Sequence, residues 1–253
     1  MTTPVAGGRP SVIVTGAARG IGAATARRLA DDGAAVIAVD RDADPLDAVV
    51  GALPGDGHRA WATDLRDLAG HDALVEAALS AADRFLGLAH LAAVLRRRAT
   101  VEEVSEEDWD LQIDVNLKAT FFLNRAVATA LVRQGQGGSI VNFTSQAWNT
   151  GGFGGAVVYA TTKGGVVSMS RGLARTFAPH GVRVNTVAPG FVETEMMLGG
   201  LSEQQIEDFR QMVPLGRMAA VEELASTVSF LMGDDARYVT GATLNVTGGQ
   251  LMY

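Results

Sequence analysis

Seven short apolar runs recur from one end of the chain to the other, at 12–15, 35–39, 59–63, 86–92, 139–144, 182–187 and 243–246, with helix-like segments between most of them. The runs are continuously apolar rather than alternating, as expected of parallel strands buried on both faces. Helical periodicity is read at 21–32, 67–82, 106–133, 157–177 and 221–232, and Gly33 and Gly181 stand where helix C-terminal caps belong. Strands joined by crossover helices dictate an α/β doubly wound parallel sheet of about seven strands in a three-layer sandwich. Ligands of such sheets bind beyond the carboxyl ends of the strands. The 253 residues suit one α/β domain spanning 1–253, with 1–10 expected to be a flexible N-terminus.

Composition removes several classes of function. The chain has no cysteine, so disulfides, thiolate nucleophiles and cysteine-bound zinc are excluded. A formal net charge of −7 argues against a surface that coats nucleic acid. The basic triplet Arg96, Arg97 and Arg98 reads most simply as a solvated loop. No window reaches the length of a membrane span and no targeting signal is legible, so a cytoplasmic location is expected. His58, His71 and His180 lack metal-ligand spacing with carboxylates and read as surface residues; no metal is expected.

The first apolar run leads directly into Thr15-Gly16-Ala17-Ala18-Arg19-Gly20-Ile21-Gly22. Glycines at 16, 20 and 22 permit a tight turn and let backbone approach a pyrophosphate, and the next helix aims free N–H groups and its positive dipole end at that anion. Asp40 closes the second run, where its carboxylate can accept hydrogen bonds from both adenosine ribose hydroxyls and repel a 2′-phosphate. NAD is therefore favoured over NADP. Arg19 and Arg41 weigh the other way, since guanidinium groups suit phosphate. Asp64, followed by Leu65, ends the third run; its carboxylate either reaches the adenine amino group or caps the helix that begins near Asp67.

Tyr159 and Lys163 lie four residues apart in a helical segment, close to one turn, and so share a face. A free phenol, with a pKa near about 10, is a poor base at neutral pH. A neighbouring ammonium and the positive ring of an oxidised nicotinamide would both favour the phenolate. Ser145 follows the fifth run, where its hydroxyl can donate to a substrate oxygen. Asn116 interrupts a long helix, and a helix distorted around it could hold a water that bonds Lys163 and relays protons.

Together these motifs, with Pro189-Gly190-Phe191-Val192-Glu193-Thr194, resemble the compact single-domain branch of the short-chain dehydrogenase/reductase family over nearly the whole chain. The resemblance implies a Rossmann-like fold and an oxidoreductase acting on CH–OH groups. It implies that Tyr159 is the general acid/base, that Lys163 lowers its pKa and holds the nicotinamide ribose, that Ser145 orients the substrate oxygen, and that Asn116 completes the proton relay. Pro189, Val192 and Thr194 would bound the carboxamide, and a homotetramer is implied. Two departures stand out. His90-Leu91-Ala92-Ala93 replaces the family's Asn-Asn-Ala-Gly, so that Leu91 and Ala92 would line the cofactor; His90 is expected to be a satisfied structural histidine. The interval from Ser145 to Tyr159 is one residue longer than usual, which the glycines of 151–155 can absorb.

Substrate selectivity should come from 146–158, from residues near Val94, and from 195–214, read as a lid. Trp148, Phe153, Phe191, Met196, Met197, Leu198 and Phe209 lie there, with Ser145, Trp148, Tyr159 and Met196 as substrate contacts. Either they surround a hydrophobic or aromatic substrate, or they pack a lid or subunit contact. The leading expectation is an NAD-dependent enzyme that interconverts a secondary alcohol and a ketone. The alternatives are an NADPH-dependent 3-oxoacyl thioester (acyl-carrier-protein) reductase and a non-catalytic dinucleotide-sensing protein.

Overall fold

In a computed structural model that describes residues 9–152, 155–199 and 202–252, the apolar runs become a seven-stranded, all-parallel sheet. Its strands are β1 (Pro10–Thr15), β2 (Ala35–Asp40), β3 (Arg59–Ala62), β4 (Arg84–His90), β5 (Gly138–Phe143), β6 (Val182–Pro189) and β7 (Thr243–Val246). The spatial order β3-β2-β1-β4-β5-β6-β7 reverses direction between β1 and β4, which opens the ligand crevice beyond their carboxyl ends.

The helices are α1 (Gly20–Asp31), α2 (Ala43–Gly51), α3 (His71–Leu79), α4 (Glu106–Ile113), α5 (Thr120–Gln134), α6 (Ala147–Thr150), α7 (Val157–Phe177), α8 (Glu195–Leu198), α9 (Glu203–Gln211) and α10 (Val221–Met232). Side chains alternate across each strand, so each sheet face has its own core. On one face Val12, Val14, Val36 and Val141 pack with Leu29, Leu46, Leu224 and Leu231; on the other, Ile13, Ile37, Leu88 and Ile140 pack with Leu74, Leu123, Val127 and Leu131. Gly33, at φ 94°, ends α1 as expected.

Two sequence readings change. The helix expected over 67–82 is a short 3₁₀ turn, Leu68–Gly70, followed by α3. The long helix expected over 106–133 is α4 and α5 joined by a π-helical turn, Asp114–Ala119, with Asn116 inside it. The distortion anticipated at Asn116 is therefore present. Of the expected terminus 1–10, residues 1–8 lie outside the described residues, as do Phe153, Gly154, Gly200 and Leu201. Among the described residues no helix is long and apolar enough to cross a membrane.

Candidate active site

The turn from β1 to α1 is built from contacts that a side chain would block. Gly16 has φ +68°, and a Cβ on it would lie 2.9 Å from the Ala92 nitrogen; one on Gly22 would meet the Gly16 carbonyl oxygen at 1.9 Å. Across the turn, Thr194 caps α8 by accepting from the Met197 N–H, and its Cγ2 faces Gly20, with 3.6 Å to the place of a Cβ there. Ile21 packs beneath the turn against the core. Val192 pairs with Ala219 and Pro189 ends β6, which sets the opposite wall.

Asp40 is held at the end of β2: one carboxylate oxygen accepts from the Ala18 N–H at 3.1 Å and the other from the Arg41 N–H at 2.8 Å. Both arginines that could recognise a 2′-phosphate are drawn to Asp42. Arg19 hydrogen-bonds it and also lies 3.8 Å from Glu195, and Arg41 Nε lies 3.4 Å from it. A glycine-built cradle at the N-terminus of α1 and a carboxylate fixed at the strand end fit the phosphates and a ribose of a dinucleotide.

Asp64 corrects the capping alternative. Its carboxylate accepts from the Arg66 backbone and guanidinium, the shortest contact being 2.6 Å, and this pairing holds its pKa below the usual carboxylate range. The 3₁₀ turn is preceded by Asp67, which makes no side-chain cap. Leu65 is buried behind it, and its carbonyl meets His71 Nε2 at 2.9 Å. His71 is thus a buried residue, contrary to the surface reading, and burial lowers its pKa.

His90 closes the floor. Thr15 Oγ1 accepts from the N–H groups of Leu91 and Ala92 at 3.1 and 3.2 Å, so its own proton goes to His90 Nδ1 at 2.9 Å. Nε2 then carries the ring proton and donates it to Thr120 Oγ1 at 2.9 Å, and Thr120 donates onward to the Asn116 carbonyl at 2.8 Å. Burial, the largest cause, and then the Lys163 charge push the His90 pKa down to about 3, keeping the ring neutral. The structural reading of this histidine is what the structure displays, and its reach extends from the glycine turn to the π-helical turn.

The Asn116 amide clamps Val94 from both sides, accepting its N–H and donating to its carbonyl, each at 2.8 Å; it also donates to Thr162 Oγ1 at 3.2 Å. Lys163 is buried on α7 and donates to the Phe143 carbonyl at 2.8 Å, with Nζ 5.5 Å from the Tyr159 ring centre. Ser145 Oγ accepts from the Ala147 N–H at 3.2 Å and lies near enough to the phenol to act on its pKa. Burial drives the Tyr159 pKa up to about 12, while the nearby Ser145 hydroxyl and Arg97 charge oppose the rise. Burial alone pulls Lys163 down to about 8. Desolvation thus outweighs the expected help from the neighbouring ammonium, which is directed at a backbone carbonyl.

On the substrate side, Phe191, Met197, Leu198 and Phe209 pack into a third apolar cluster with Val213 and Met218, the Phe191 and Phe209 rings being 4.6 Å apart. These four therefore pack segment 195–214 onto the body. Trp148 lies partly buried on α6. Met196 is in α8, with its side chain outside the described residues. Sequence reasoning missed Gln112, which accepts the Arg96 N–H, and Asp108, paired with Arg98; neither follows a motif. Among the described residues no three His, Asp or Glu side chains are grouped to hold a metal.

A family model described as enoyl-(acyl carrier protein) reductase matches residues 16–250. The short-chain reductase protein NovJ of Streptomyces niveus is 40% identical, covering 98% of this chain and 97% of that protein. The human (3R)-3-hydroxyacyl-CoA dehydrogenase is 35% identical over 95% of each. A crystal structure described as a betaketoacyl-ACP reductase superposes with a TM-score of 0.83 at 36% identity, covering 94% of this chain and 96% of that one.

Proposed function

The chain belongs to the short-chain dehydrogenase/reductase family, whose members here are oxidoreductases of CH–OH groups, and we propose that it is an NAD-dependent enzyme interconverting a secondary alcohol and a ketone with an apolar body. The observation that carries the reading is the Tyr159 phenol beside Ser145, with buried Lys163 one turn away and its Nζ 5.5 Å from the Tyr159 ring centre, next to a turn built of glycine.

The bound nicotinamide would supply or accept the hydride. Ser145 Oγ would hold the substrate oxygen, and Tyr159 Oη would give a proton to a ketone or take one from an alcohol. With its pKa pushed up to about 12 by burial, the phenol keeps its proton, which suits reduction. Oxidation requires further positive charge near Oη to favour the phenolate. Lys163 would hold the ribose, Asn116 would organise the proton path, and Leu91, Ala92, Pro189, Val192 and Thr194 would bound the nicotinamide half. Segment 195–214 would act as the lid over the substrate. Exposed Trp109, Phe121 and Val157 on α4, α5 and α7 support the homotetramer, and a cytoplasmic setting goes with the reading.

Acyl-thioester enzymes among the relatives favour a second reading, an NADPH-dependent 3-oxoacyl thioester reductase. The pairing of Arg19 and Arg41 with Asp42 speaks against its cofactor. Turnover of a broad alcohol and ketone panel with each cofactor tests both. We expect kcat/KM with NADH to exceed that with NADPH by at least about 10-fold, the equivalent of one lost charge-assisted contact. A strong NADPH preference would reverse the cofactor assignment, and cofactor binding with no hydride transfer across the panel would favour the dinucleotide sensor.

A further inference from the structure

The segment after β4 is fastened at every second residue. The Val94 N–H is held by Asn116, the Arg96 N–H by Gln112 Oε1 at 3.1 Å, and the Arg98 N–H by the Gly155 carbonyl at 3.4 Å. N–H groups that point one way at alternate positions mark an extended chain, in which neighbouring side chains face opposite sides. The Arg98 guanidinium turns to α4 and grips Asp108 through both carboxylate oxygens, at 2.6 and 2.7 Å. By that alternation Arg97 is directed to the opposite side from Arg98, and it has no hydrogen bond or ion pair among the described residues. The approach to α7 is close: a Cβ on Gly155 would lie 1.6 Å from the Arg98 carbonyl oxygen, and Gly155 is four residues before Tyr159. The Arg97 charge is near enough to act on the phenol.

We propose that Arg97 receives a carboxylate that the substrate carries close to its reacting carbon, so that the substrate is a hydroxy or oxo acid with an apolar tail. The proposal rests on the dehydrogenase reading above and names the substrate class of that same site. A guanidinium offers a planar fork that matches a carboxylate with two parallel hydrogen bonds. Arg98 already shows that geometry with Asp108, whereas Arg97 has the same fork available at the edge of the substrate space. A chain of net charge −7 repels small anions at long range, so an acidic substrate needs a local cation of this kind. The fastened backbone fixes the origin of the side chain, which limits the ordering needed on binding.

The test compares oxidation of a medium-chain 3-hydroxy acid with that of its neutral methyl ester, in the presence of NAD. The wild-type protein is expected to favour the acid in kcat/KM by roughly 10- to 100-fold, the range for a hydrogen bond to a charged group. Arg97→Gln should bring the acid-to-ester ratio toward unity, Arg97→Lys should keep part of it, and Arg96→Gln should leave it in place. Raising the salt concentration should increase KM for the acid more than for the ester. Equal use of acid and ester by the wild type, an unchanged ratio in Arg97→Gln, or a ratio that follows Arg96→Gln would each overturn the assignment while the dehydrogenase reading stands. If NAD binds and neither acid, ester nor any neutral alcohol is oxidised, the dehydrogenase reading fails and this assignment fails with it.

Discussion

The two walls of the crevice are made of different material. The proposed nucleotide wall is backbone: the Gly16 and Gly22 approaches, N–H groups gathered by Thr15 and Asp40, and the N-terminus of α1. The proposed substrate wall is side chain: Arg97 on a fastened extended segment, Trp148 on α6, and an apolar cluster that seats segment 195–214. A backbone wall tolerates almost no change, because its atoms already sit at contact distance. A side-chain wall can change its ligand by exchanging one residue. Tyr159 stands on the seam, with Ser145 and the charge of Arg97 both near enough to act on its phenol.

The largest test of this division falls on the seam. Tyr159→Phe keeps the ring and removes the acid, so kcat should drop by roughly 10²- to 10⁴-fold while cofactor affinity, read by nucleotide fluorescence titration, stays within a few-fold. A parallel loss of cofactor binding would move Tyr159 to the nucleotide wall, and near-normal turnover would remove it from the chemistry. A smaller effect is expected at Gly22→Ala, whose methyl would meet the Gly16 carbonyl. Cofactor affinity should fall by at least about 10-fold and stability by about 1–3 kcal/mol, as for overpacking. By contrast, Gly172→Ala on α7 has open space at the new methyl and should stabilise by roughly 0.5–1 kcal/mol. Equal outcomes for the two glycines would refute the contact argument.

The mildest test concerns the hub behind both walls. His90 has a folded pKa of about 3 against an unfolded value near about 6.5. Between those limits the unfolded chain binds more protons, so stability falls as pH drops below the unfolded value, with a slope of at most about 1.4 kcal/mol per pH unit from this group. His90→Phe should cost about 1–3 kcal/mol at neutral pH by leaving the Thr15 hydroxyl without its acceptor. It should also flatten the acid dependence. Urea titrations from pH 5 to pH 8 measure both, and an unchanged slope would show that the ring is hydrated rather than buried.

Much of this molecule follows from its sequence. Runs such as 35–39 are strands because every residue is apolar, and the tight turn at 16–22 follows from three glycines within seven residues. Tyr159 and Lys163 share a face because helical period is local. The distorted helix at Asn116 could also be anticipated, since an amide in a helix interior invites another arrangement, although the π-helical turn's bounds could not. The short helices α2, α8 and α9 escaped notice, being too brief or too polar for a clear period.

Periodicity and near neighbours therefore fix the parallel sheet, the glycine-built turn and the order of the chemical groups along the chain. Which charges are occupied is settled by the folded arrangement: Arg19 and Arg41 are drawn to Asp42, Asp64 is held by Arg66, Arg98 is gripped by Asp108, and Arg97 is left over. It also set the tautomer of His90, through partners 75 residues before it and 30 after. The physical reason is that hydrogen bonding and desolvation depend on the three-dimensional surroundings of a group, and those partners come from strands and helices far apart in the chain.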